Sequence, residues 1–202
     1  MQFFQLLVGF AAAVSVSAID IQKHFGQNCG GNFRVCRGLN PNICCVGATA
    51  ESILFRYIPS NWRIECRGYD GGDCRNRRAT ILSAGATSIC MRSGGFLFTG
   101  AGYGFVNRKR APQEAGETCT VDGELVEGQP QKCESSQEPD TLVLVDGSEF
   151  NLVGLEADKL DRLHRLILLT AASSPSSFEI AADPNVTSAA DIPAEFKPLE
   201  IV

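Results

Sequence analysis

The run Ile53-Leu54-Phe55-Arg56-Tyr57-Ile58, interrupted by Pro59-Ser60-Asn61 and resumed as Trp62-Arg63-Ile64-Glu65-Cys66, decides the fold. Each run is short and rich in β-branched and aromatic residues, and the break between them is made of turn-formers. The pattern repeats outward through Ala79-Thr80-Ile81-Leu82, Phe96-Leu97-Phe98 and Tyr103-Gly104-Phe105-Val106, with Asp70-Gly71-Gly72-Asp73 and Ser93-Gly94-Gly95 as further breaks. Helical periodicity is not sustained anywhere between residues 19 and 110, although residues 48–54 have room for a helical turn or two. Short strands at this spacing predict a mainly β chain: a small antiparallel sandwich or barrel.

Charge divides the chain. Residues 19–110 hold 13 Lys and Arg against 5 Asp and Glu, and residues 111–202 hold 5 against 18, within an overall net charge of −5. The border is the tribasic run Arg108-Lys109-Arg110. We read residues 19–110 as a basic, cysteine-rich β module and residues 111–172 as an acidic companion able to dock on it through opposite charge. A protease that cuts after paired basic residues would act at Lys109-Arg110. In the acidic part, Cys119 and Cys133 flank a candidate hairpin around Asp122-Gly123. A second hairpin pairs Leu142-Val143-Leu144-Val145 with Phe150-Asn151-Leu152-Val153. Leu160, Leu163, Ile167 and Thr170/Ala171 then recur at helical spacing, giving a ββα unit. Residues 173–202 are rich in Ser, Ala and Pro and read as a disordered tail, in which Asn185-Val186-Thr187 fits the glycan-acceptor pattern.

Residues 1–18 carry no charge and close on Ser15-Val16-Ser17-Ala18, so a secretory signal peptide cleaved after Ala18 is expected, with no membrane-spanning segment after it. The nine cysteines, Cys29, Cys36, Cys44, Cys45, Cys66, Cys74, Cys90, Cys119 and Cys133, all follow that segment. Exported cysteines at this density imply disulfides, because so small a module is thinly supplied with core. An odd count leaves one thiol over, or links two chains as a disulfide-bonded dimer. Zinc-type spacing is missing, and neither metal nor cofactor is expected.

The order Cys44-Cys45, Ser52-Ile53-x-Phe55, Pro59, Trp62, Arg67-Gly68-Tyr69-x-Gly71-Gly72-x-Cys74, Cys90, Gly94-Gly95-Phe96 and Thr99-Gly100-Ala101-x-Tyr103 resembles small secreted cysteine-rich proteins of fungi. The resemblance covers about residues 44–103 and implies an exported protein of the effector or toxin kind. The opening Cys29-x6-Cys36-x7-Cys44-Cys45 also resembles hevein-like chitin-binding modules in its adjacent cysteine pair. It departs from them in the Val46-Gly47-Ala48-Thr49 that follows, where those modules place a serine and sugar-stacking aromatics.

The candidate binding residues are Arg63, Arg67, Arg75, Arg77 and Arg78 with Trp62 and Tyr69, a cationic and aromatic set suited to an acidic polymer or a cell-wall glycan. Glu65, Asp70 and Asp73 read as turn residues before they read as calcium ligands. His24 and His164 are the only histidines, and neither stands beside a nucleophile in the sequence, so no catalytic residue is assigned. The reading is a secreted, non-enzymatic effector or virulence-type protein that binds a host or competitor macromolecule. Its alternatives are a killer-type or antimicrobial toxin processed at the basic seam, and a chitin- or glucan-binding protein.

Overall fold

A computed structural model of the chain describes residues 18–106, 135–169 and 188–201. The signal segment before Ala18, the seam at Lys109-Arg110, Cys119, Cys133 and Asn185 lie outside the described residues. The chain is mainly β, as expected. It contains strands β1 (Ile19–His24), β2 (Phe33–Leu39), β3 (Ile43–Cys45), β4 (Ser52–Arg56), β5 (Ile64–Asp70), β6 (Asn76–Leu82), β7 (Ser88–Arg92) and β8 (Gly100–Phe105). β9 (Ser135–Gln137), β10 (Thr141–Val143), β11 (Glu149–Asn151), helix α1 (Ala157–Leu169) and β12 (Glu200–Ile201) follow.

Two sheets result. One runs in the order β12-β11-β10-β2-β1-β4-β7 and the other β6-β5-β8-β3-β9. All pairings are antiparallel except β3 with β9. Strands of the acidic half therefore sit inside both sheets, with β10 against β2 and β9 against β3. Residues 48–54 are extended rather than helical: Ala50 bridges Phe98 and β4 begins at Ser52. Residues 188–201, within the expected tail, end in β12 on β11 and bury Ile192 and Phe196. These two apolar side chains gain more by burial than the low-complexity composition around them suggests.

One core fills the space between the sheets, with Ile21, Ile53 and Phe55 meeting Ile64, Cys66, Phe98 and Tyr103. A second core collects Phe25, Leu142, Phe150, Leu163 and Phe196 beneath α1. Three disulfides staple the β module: Cys29–Cys90, Cys36–Cys45 and Cys44–Cys74. Adjacent cysteines on a strand project to opposite faces, and so Cys44 and Cys45 tie β3 to two different partners. Cys66 is the free thiol among the described residues, and at 0% exposure it is closed to a second chain.

Candidate functional site

The arginine cluster is built on the β5–β6 hairpin. Its turn needs left-handed backbone at Gly71 (φ 72°) and Gly72 (φ 94°), which a residue without Cβ adopts freely. β6 pairs only with β5, so it forms the edge of its sheet. Six of its seven residues are exposed. On one face Glu65 accepts from both Arg67 Nε (2.7 Å) and Arg77 Nη1 (2.8 Å). Arg78 Nε donates to Asp70 at 2.9 Å, and its guanidinium lies 5.2 Å from the centre of the Phe96 ring. Arg63 and Arg75 are exposed and form no ion pair among the described residues.

Two of the seven predicted binding residues are not exposed. Arg67 and Tyr69 are buried on β5, an inner strand flanked by β6 and β8. Trp62 is half-buried, edge-on to Phe105 at 4.7 Å and stacked over Tyr103 at 6.4 Å. The outward set is therefore Arg63, Arg75, Arg77 and Arg78. Its counter-charges are Glu65 and Asp70 of the same hairpin, not the acidic half. Among the described residues, the ion pair that half makes with the basic module lies elsewhere, with Glu149 2.6 Å from Arg37 on β2. Glu65 and Asp70 are thus engaged by arginines, and no group of three or more His, Cys, Asp or Glu among the described residues is placed to hold a metal ion.

Three buried polar residues on β1 and β2 lie outside the binding set expected from the sequence. Lys23 Nζ donates to the carbonyls of Val46 (3.3 Å), Gly47 (3.1 Å) and Thr99 (2.8 Å), tying β1 to loops of the other sheet. Burial, and then the neighbouring Arg34, push its pKa down to about 7. His24 packs on Phe33 and contacts Gly30 O and Gln22 Oε1, and burial brings its pKa down to about 4. Arg34 lies directly across the strand pair from Lys23. The alternation Ile19, Ile21, Lys23 was the available signal, since it places the lysine on the apolar side of β1.

A family model described as "ARB_05566_N: N-terminal domain" matches residues 20–140, more than half of the chain. The chain belongs to this family. The matched region runs from β1 through β9 and crosses the tribasic seam. The chain is also similar to a protein of Arthroderma benhamiae named "Uncharacterized secreted protein", at 26% identity over 168 residues, covering 78% of this chain and 80% of that one. No solved structure matches it. The chain is a secreted protein, in keeping with that relative and with the three disulfides among its described residues. No helix among the described residues is long and apolar enough to cross a membrane.

Proposed function

We propose that this is a secreted, non-catalytic effector-type protein that binds an acidic macromolecule of a host or competitor through the outer face of the β5–β6 hairpin. The carrying observation is β6 itself, an edge strand that presents Arg77 and Arg78 on a rigid, disulfide-backed sheet with Arg63 and Arg75 close in sequence. Because Arg77 and Arg78 are held by Glu65 and Asp70, little side-chain entropy remains to be lost on binding. Exposed Ile81 and Leu82 continue the same strand and offer apolar contact beside the charge. The one histidine whose side chain is described is buried and engaged, which fits binding better than turnover.

Arginines on an edge strand also discourage edge-to-edge association, so the test must separate the two roles. The quadruple variant Arg63→Ala, Arg75→Ala, Arg77→Ala, Arg78→Ala is expected to lose about tenfold or more in affinity for an acidic polysaccharide such as polygalacturonate, with a steep salt dependence in the parent. Unchanged affinity together with new self-association would assign the arginines to edge protection and end the proposal.

A further inference from the structure

A cavity of about 370 Å³ opens beside the second core, whose Leu152 lines it. Arg34 of β2 forms its inner wall. Pro139 before β10, Leu152 and Leu155 after β11, and Leu160 of α1 supply apolar walls, and the Gly47-Ala48 loop closes one side. Arg34 is 3% exposed, and its Nε and Nη2 have no hydrogen-bond partner among the described residues. Buried donors left unpaired are rare in folded proteins, and an unpaired buried charge is costlier still.

Lys23 and Arg34 are directly opposed in the β1–β2 ladder, so two buried cations face the same interior side by side. Like charges placed this way destabilise a sheet. Lys23 is satisfied by three carbonyls, whereas the Arg34 guanidinium carbon lies 5.8 Å from the centre of the Phe25 ring and its Nε and Nη2 receive no hydrogen-bond acceptor. The nearby acids do not neutralise it. Asp140 spends one oxygen on the Arg37 backbone N–H (3.0 Å) and the other on the Thr141 hydroxyl (2.7 Å). Glu138 is exposed at the rim; it acts on Arg34 through its charge but accepts no hydrogen bond from the two unpartnered nitrogens.

We propose that this cavity is a binding site for a small carboxylic acid with an apolar body, the carboxylate pairing with the Arg34 guanidinium and the body lying against Pro139, Leu152, Leu155 and Leu160. The volume falls in the range of small-molecule sites, which are mostly apolar with a few placed polar groups. The two unpartnered nitrogens share one edge of the guanidinium, the fork that receives both oxygens of a carboxylate. Both are covered in the free chain, so binding turns the guanidinium toward the cavity, and the void beside it gives the room.

The test uses the full secreted chain and titrates octanoate, octanol and inorganic phosphate by calorimetry, with chemical-shift mapping of the cavity walls. Saturable octanoate binding is expected, about tenfold or more tighter than octanol and than phosphate. Arg34→Gln should reduce octanoate affinity to the octanol level without lowering the melting temperature, since the variant loses a buried unpaired charge. Leu160→Trp, which fills the cavity from α1, should abolish binding and guards against a folding defect in the first variant. The proposal is overturned if octanoate and octanol bind alike, if phosphate matches octanoate, or if no probe binds. It is equally overturned if Arg34→Gln and Glu138→Gln each lower the melting temperature of the free chain by a similar amount, which would make Glu138 the internal partner of Arg34.

Discussion

His24 shows how tertiary context changes the chemistry of a single residue. Burial brings its pKa to about 4 from an ordinary 6.5. Between those values the unfolded chain takes up a proton that the folded chain refuses, so stability falls as pH drops through that window, by up to roughly 3 kcal/mol. Urea midpoints at pH 7 and pH 4.5 should diverge in the parent, and His24→Gln should remove most of the divergence. Cys66 is similar in origin: burial raises its thiol pKa to about 12 and keeps reagents out. Iodoacetamide should leave it unlabelled in the native chain and label it once guanidinium unfolds the non-reduced protein. Both residues are visible in the sequence, but their burial is not, because it depends on strands tens of positions away.

At the scale of elements, the packing of β5 against β7 and Phe98 is set by a missing side chain. A Cβ on Gly68 would come within 2.7 Å of Met91 Sδ and closer still to the Phe98 ring. Gly68→Ala should therefore overpack the inter-sheet core and cost about 1–3 kcal/mol, read as a fall in denaturant midpoint with an unchanged slope. The Cys29–Cys90 bridge ties the turn after β1 to edge strand β7 across 61 residues. A loop of that length makes Cys29→Ser with Cys90→Ser worth about 4 kcal/mol in the chain-entropy account, measured in the same way. Strands β4, β5, β6, β8, β10 and β11 and helix α1 were legible as apolar runs between turn-formers. β1 and β2 were not, since Lys23, His24 and Arg34 interrupt their apolar pattern, and β3 is only three residues long, two of them cysteines. Phe96-Leu97-Phe98 looked like a strand, yet only Phe98 bridges to Ala50, and Gly94 and Gly95 bend the approach with positive φ.

For the whole molecule, the charge border is not a border of the fold. β10 and β9 pair with β2 and β3, and all three described disulfides lie on the basic side. Residues 19–110 expressed alone would leave the edges of β2 and β3 bare and Phe25 uncovered. That fragment should aggregate, seen as material eluting at the void volume, whereas the full chain elutes as a folded species. If the seam after Arg110 is cut on export, the pieces should still co-elute under native conditions, held by the ladders β10–β2 and β9–β3. A C-terminal piece that dissociates without denaturant would contradict this arrangement.

By itself the sequence determined the class of the protein: exported, stapled by cysteines, mainly β, with a basic and an acidic half. Those properties follow from composition and from local alternation, which act over a few residues. Only the tertiary structure decided which arginines face outward, which of the described cysteines stays reduced, and that a buried guanidinium with two unpartnered nitrogens lines a cavity beside the second core. Exposure and pairing are set by which distant strands meet, and neighbouring residues along the chain carry no record of that choice.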